Sequence, residues 1–383
     1  MKTTWIKLSL AAAVATFAAT AGAQSVIKIG VNQPLTGAVA ASGNFVTNGA
    51  RIAADEINAK GGINGAKIEL VIEDNKSNPT EAAAVAEKLI VRDKVPVMLG
   101  AWSSTYTLSV MPKLMEYKVP MVVETSGADK ITTSGNPYIF RICPTNDIEA
   151  QSFARHVAPL GIKKADILAV NNDWGRGSAD SLQRMLKSKG GSVGRILTMD
   201  ATAQDVTSQL SQLRGGDADT IFVITAVEQL TLVLKQAQSL GVKKRIITMG
   251  GSQSPDQLIA HAGSAAEGTM HNMMFAPWHP EAAEDPAAAK AFIAEWNKRN
   301  YDKAGLTEGF RGYDGIRTIA QAVAKAGAAD PEKIRAALWN VDFKGITGRI
   351  KFEKVGPAGK ESGQSTPNTY LVKINGGKVD LVK

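Results

Sequence analysis

Short, continuous apolar runs alternate along this chain with longer stretches whose apolar positions recur every three or four residues. The run at 26–31 is rich in β-branched residues and unbroken by polar positions, as a strand buried on both faces requires. Residues 48–59 carry Ile52, Ala53 and Ile57 at helical spacing and stop at Gly61-Gly62, a helix terminator. A strand at 67–72 follows, then a helix at 80–91 with Pro79 near its start, and a strand at 95–99. Residues 105–117 read as helix, with Pro112 predicting a kink or a late start, and 119–123 read as strand. This order predicts a parallel sheet with helices on both faces.

The pattern pauses at the extended segment 138–142 and Pro144-Thr145, then restarts at Asn146-Asp147, both good helix caps. Helices at 148–159, 178–189, 206–213 and 228–240 alternate with strands at 165–170, 192–199, 220–224 and 245–249. The chain therefore holds two α/β units of similar size. After Gly268 the pattern changes. Residues 269–275 are extended, and helices follow at 287–300 and 312–326. Asp330-Pro331-Glu332 caps a short helix at 334–339. Segments 349–353, 370–374 and 379–382 read as antiparallel strands, the last two joined by the Gly376-Gly377 turn. These elements are too few for a third core. They are expected to complete the first two units, so the chain must cross between them more than once.

Composition narrows the class. Of 383 residues, 44% are hydrophobic and 21% charged, which excludes a disordered chain and a membrane bundle. The lone cysteine, Cys143, rules out an internal disulfide and every cysteine-based zinc pattern. Lys2 and Lys7, the uncharged segment 8–20 and Ala21-Gly22-Ala23 make residues 1–23 a signal peptide, with Gln24 opening the mature chain. At about 13 residues the apolar segment falls short of the roughly 20 that span a bilayer. No cysteine follows the cleavage site to carry a lipid, so the expected product is periplasmic and unanchored. Removing Lys2 and Lys7 lowers the net charge from +8 to +6. The densest basic runs, Lys163-Lys164 and Lys243-Lys244-Arg245, each precede a strand and read as solvated loop charge rather than a nucleic-acid surface.

Several chemistries lack their residues. The turn after the first strand is Asn32-Gln33-Pro34-Leu35-Thr36-Gly37-Ala38, neither a dinucleotide fingerprint nor a P-loop. Gly175-Arg176-Gly177-Ser178 is only a fragment of one, which a tight strand-to-helix turn explains equally. The four histidines, His156, His261, His271 and His279, have no metal-ligand spacing. No G-x-S-x-G elbow is present, and Ser103-Ser104 has no acid–base partner that sequence can name, so a hydrolase remains only as an alternative. No cofactor and no metal are expected. Binding has better material. Trp102-Ser103-Ser104-Thr105 and Glu124-Thr125-Ser126-Gly127 follow neighbouring strands and run into helix starts, where free N–H groups and hydroxyls suit a carboxylate. Plain N-capping is the other reading of these segments.

Longer motifs fall into one pattern. Ile29-Gly30 leads to a Pro34-Leu35-Thr36-Gly37 turn. Asn48-Gly49-Ala50-Arg51 leads to Asp55-Glu56-Ile57-Asn58-Ala59-Lys60-Gly61-Gly62-Ile63-Asn64-Gly65. Asp74 with Asn78-Pro79, Gly100 to Ser104, Gly127 to Thr132, Phe140-Arg141 with Pro144, and Asp173-Trp174-Gly175-Arg176-Gly177 follow in order. In these segments, spread over the whole mature chain, the sequence resembles the type I periplasmic solute-binding proteins of ABC importers, in the branched-chain amino-acid (Leu/Ile/Val) group.

The resemblance implies two doubly wound parallel-sheet α/β lobes joined by a three-crossing hinge. Lobe one would hold residues 24–145 and 277–346, and lobe two 146–276 and 347–383. It implies a monomer that closes on a small-molecule ligand and presents it to a membrane permease, with an exported sensor as the alternative role. It also implies a site. Ser104 matches the serine that binds a ligand carboxylate, within the Trp102-Ser103-Ser104 segment. Thr125 and Gly127, flanking Ser126, match two further donor positions, and glycine leaves only backbone at the second. Trp174 matches the aromatic of lobe two that covers the ligand. Thr225 or Ala226 stands where another aromatic is common, and Ser252 where an acid commonly pairs with a ligand ammonium. A buried ammonium without a carboxylate is costly. The expected ligand is therefore a small acid or amide without a free α-ammonium, stacked on Trp174. The rival is an ordinary branched-chain amino acid paired with Glu228 or Asp256.

Overall fold

A computed structural model describes residues 26–250 and 253–382. The expected signal peptide, 1–23, and Ser252 lie outside the described residues.

The first sheet begins with five parallel strands: β1 (Val26–Gln33), β2 (Lys67–Asp74), β3 (Met98–Gly100), β4 (Met121–Val123) and β5 (Ile139–Arg141). They lie side by side in the order β2-β1-β3-β4-β5. The second sheet repeats the plan with β6 (Lys164–Val170), β7 (Ser192–Met199), β8 (Thr220–Ile224), β9 (Arg245–Thr248) and β10 (Met270–Met273), ordered β7-β6-β8-β9-β10. The molecule is thus two parallel-sheet α/β lobes. In each, the strand order reverses beside the first strand, and the crevice beyond the strand ends at that point is where open α/β sheets bind ligands.

The apolar runs explain this plan. β8 is buried along its whole length because both of its faces are covered: Phe222 and Ile224 enter one core, Ile221 and Val223 the other. In lobe one, helices Ala40–Ala59 and Leu306–Ala326 pack along each other. Both begin earlier than the 48–59 and 312–326 expected. Gly49 weakens the helical signal, yet a Cβ there would lie 1.7 Å from Gly309 O, so only glycine lets the two backbones come this close. The first turns of the second helix also bury Glu308 and Arg311, which broke the amphipathic pattern. Helix Ser104–Tyr117 starts on time despite Pro112.

The tail corrects one boundary. β11 (Asp342–Lys344) pairs with β12 (Arg349–Lys351). β13 (Glu353–Val355) pairs with β14 (Ser362–Gln364), and β14 lies parallel to β5 in the first sheet. Residues 349–364 therefore belong to lobe one, not to lobe two as expected. Phe352 anchors them, with its ring 5.2 Å from that of Phe140 in the lobe-one core. The expected single strand 349–353 is split at this residue. Only β15 (Tyr370–Asn375) and β16 (Lys378–Leu381) reach the second sheet, as an antiparallel hairpin beside β10. The chain passes between lobes after β5, after β10 and after β14.

Candidate functional site

The loops after β3 and β4 are stitched into one surface. Ser126 Oγ donates to Trp102 O at 2.9 Å and pairs with Thr107 Oγ1 at 2.7 Å. Ala128 N donates to Ser104 Oγ at 3.0 Å. Beneath them Arg141, fully buried, donates to Ser126 O, Ala128 O, Gln364 Oε1 and Thr132 Oγ1. Burial lowers the pKa of its guanidinium to about 10. Trp102 takes a left-handed φ of 62°, and its Nε1 donates to Glu308 at 3.4 Å.

This frame separates capping from binding. Ser103 occupies the N-cap position of helix Ser104–Tyr117, but its side chain makes no capping hydrogen bond. Ser104 Oγ accepts one bond and keeps its proton to donate. Thr125 Oγ1 is buried with no partner. Ser126, by contrast, spends its hydroxyl on the scaffold.

Lobe two faces these groups from the ends of β6, β8 and β9. Asn172 caps helix Asp173–Ser188 by accepting from Gly175 N at 2.8 Å, which sets Trp174 on its first turn. The indole lies against bare backbone at Gly250. A Cβ there would come within 1.9 Å of Trp174 Cζ2, and its φ of 103° also favours glycine. Thr225 Oγ1 is the second buried hydroxyl without a partner. Ala226 touches lobe one, packing with Val39, Val46 and Trp102.

The two surfaces enclose a cleft of about 470 Å³. Nine expected residues line it: Trp102, Ser103, Ser104, Thr125, Ser126, Gly127, Trp174, Thr225 and Ala226. Val39, Val170, Asn172, Ala201, Gln229 and Gly250 complete the wall and were not anticipated. Asn172 and Gln229 were within reach of sequence reasoning, since they lie just past β6 and β8. Across the mouth, Asp173 Oδ2 accepts from Thr105 Oγ1 at 2.9 Å, and Asp173 Oδ1 meets Lys130 Nζ at 2.8 Å.

No acid is among the described residues lining this cleft. Asp256 lies elsewhere. Its carboxylate accepts from Trp278 Nε1 at 3.1 Å, and it lines a separate surface hollow with Phe45 and Lys303. Glu228 is half-buried at the start of helix Val227–Ser239, its Oε1 3.5 Å from Ser42 Oγ and its Oε2 buried without a partner. Burial pushes its pKa up. An acid that was not anticipated lies in an adjoining chamber. Glu149 accepts from Gly250 N at 2.7 Å and from Asn272 Nδ2 at 3.2 Å. It lines a smaller chamber of about 250 Å³ that shares Thr125, Gly127, Trp174 and Gly250 with the main cleft.

The family described as periplasmic binding protein matches residues 26–378. This chain belongs to that family. Among its relatives is the leucine-, isoleucine-, valine-, threonine- and alanine-binding protein of Pseudomonas aeruginosa, 29% identical over 91% of this chain and 92% of that one. The transporter substrate-binding protein LivJ of Streptococcus pneumoniae, solved with isoleucine, has a TM-score of 0.81 at 28% identity, covering 94% of this chain and 99% of its own. A solute-binding protein of an R. palustris ABC transporter, solved with 4-hydroxybenzoate, has a TM-score of 0.79 at 25% identity, covering 94% and 96%. In this periplasmic binding protein, no helix among the described residues is long and apolar enough to cross a membrane.

Proposed function

We propose that this protein is the exported substrate-binding component of an ABC importer. It traps a small carboxylate-bearing solute between its lobes and delivers it, as a monomer and without catalysis, to a membrane permease. The observation that carries this reading is the pair of buried, unpartnered hydroxyls, Thr125 of lobe one and Thr225 of lobe two, facing one cleft. A buried polar group left unpaired costs about 1–3 kcal/mol, so the cleft is built for a ligand that supplies partners to both lobes. Ser104 and the Gly127 backbone would take the carboxylate, and Trp174 would stack on the body of the ligand.

The absence of an acid among the described residues lining the main cleft favours a small organic acid; an aromatic acid would stack on the Trp174 indole, and one similar protein is solved with 4-hydroxybenzoate. A second reading, a branched-chain amino acid, is favoured by Glu149 in the adjoining chamber and by the isoleucine-binding neighbour. A thermal-shift screen of the mature protein against aliphatic acids, aromatic acids, amides and amino acids tests both, because a ligand of the native state raises the melting temperature. A shift with acids and none with leucine, isoleucine or valine supports the first reading. The reverse supports the second. No shift with any carboxylate-bearing solute refutes both.

A further inference from the structure

The smaller chamber behind Trp174 has its own chemistry. Its walls include Thr125, Glu149, Trp174, Gly250 and Met274. Glu149 is only 7% exposed, and no ion pair neutralises it among the described residues. The hydrogen bonds it receives, from Gly250 N and Asn272 Nδ2, both fall on Oε1. Arg311, the buried cation of this region, pairs with Glu308 at 3.3 Å and reaches Glu124 O at 3.4 Å and Met274 Sδ at 3.9 Å, and it makes no hydrogen bond to Glu149. The Thr125 hydroxyl on the same wall has no partner. No lysine or arginine is among the described residues lining the chamber or the cleft. The wall therefore holds a carboxylate with no cationic side chain beside it among the described lining residues.

We infer that Glu149 is a specificity-determining residue, receiving a hydrogen-bond donor carried by the bound acid into the chamber behind Trp174. The inference rests on the proposed function. The donor is an ammonium or a hydroxyl, since either satisfies a buried carboxylate and an acid bearing neither leaves it unpaired. The chamber adjoins the cleft, sharing Thr125, Gly127, Trp174 and Gly250 with it, and on this inference one ligand holds its carboxylate at Ser104 and its donor at Glu149. This arrangement places the missing acid on the helix that follows the first crossing, not at position 252.

The test is calorimetric titration of the full mature protein and its Glu149→Gln variant with benzoate, 4-hydroxybenzoate and isoleucine. Glutamine keeps an oxygen for Gly250 N and Asn272, so the fold should hold, and ligand-free melting checks this. The wild type should prefer 4-hydroxybenzoate or isoleucine over benzoate, and the preferred ligand identifies the donor as hydroxyl or ammonium. Glu149→Gln should weaken that ligand at least about tenfold, the range for a charge-assisted hydrogen bond, and leave benzoate within about twofold. Glu149→Asp, which keeps the charge one methylene short, should fall between. Equal losses for all three ligands, or none, overturn the inference and leave the proposed function standing, as does a wild type that binds benzoate best. A wild type that binds no carboxylic acid overturns both.

Discussion

Asp173 is the clearest place to separate closure from folding. Its two oxygens reach across the cleft, one to Thr105 and one to Lys130, and neither contact survives if the lobes part. Replacing Asp173 with alanine removes both. A hydrogen bond to a charged group contributes about 1.5–3 kcal/mol, and the lower end applies because Asp173 is 23% exposed. The pair with Lys130, which is 57% exposed, adds only about 0.2–1 kcal/mol. The closed form thus loses about 2 kcal/mol, and a ligand that binds it should lose about 30-fold in affinity. Burial pushes the Asp173 pKa up, but hydrogen bonds from Lys130 and Thr105 outweigh it and hold the carboxyl below its ordinary value. The closed form therefore favours the ionised group. Its advantage is present above the ordinary aspartate range of about 4 and disappears as the pH falls through the lower closed-state value. The assay is titration calorimetry with the best ligand from the screen, alongside ligand-free melting. Affinity unchanged within about twofold, or zero coupling between Thr105→Val and Asp173→Ala in a double-mutant cycle, would show that these contacts do not hold the lobes together.

Three further outcomes are expected. Thr225→Val removes a buried hydroxyl without a partner, so ligand-free stability should hold or rise by up to about 1 kcal/mol while affinity falls about five- to tenfold; unchanged affinity would mean the hydroxyl does not meet the ligand. Gly250→Ala should cost about 1–2 kcal/mol for its φ and more for the collision with Trp174, and part of the loss should return in a Trp174→Ala background; a loss of the same size in both backgrounds would show that the indole is not what the glycine accommodates. Burial lowers the pKa of His271 to about 3, so the folded protein keeps it neutral while the unfolded chain protonates below about 6.5, and stability should fall about 1.4 kcal/mol per pH unit from there toward the folded value. His271→Gln should flatten this acid limb in denaturant titrations at pH 6.5 and 4.5, and an unchanged slope would count against the assignment.

What the sequence revealed and what it hid follow from range. The strands of both parallel cores were legible because two covered faces demand continuous apolar runs, as in β1 and β8. β14 was not legible. Its residues, Ser362, Gly363 and Gln364, have no strand pattern, and they pair with β5 more than two hundred positions earlier. The placement of residues 349–364 depends on that edge and on Phe352, neither of which leaves a local mark. The cleft was legible for the opposite reason. Ser104, Thr125, Trp174 and Thr225 sit just past strand ends, and parallel topology carries strand ends to one crevice. Glu149 escaped because it lies inside a helix, on a turn buried by the crossing of the chain, where a single glutamate looks like any solvated acid.

The cleft then ties binding to closure through opposing costs. In an open molecule water can serve Thr125 and Thr225. Closing empty strands both, at about 1–3 kcal/mol each, and leaves the carboxylate of Glu149 without a cationic partner. The Asp173 contacts return about 2 kcal/mol of this, and the apolar seam of Ala226 against Val39 and Trp102 adds more. The terms are close in size, which keeps the empty closed form within reach without making it dominant. A ligand that supplies the missing partners removes the penalties and leaves the favourable contacts, so it shifts the population by the sum of what it satisfies. An acid that reaches Ser104 but offers nothing to Trp174, Thr225 or Glu149 would bind lobe one and fail to hold the lobes shut. Discrimination on this account comes from which closed-state vacancies a solute fills, more than from how tightly one lobe grips it.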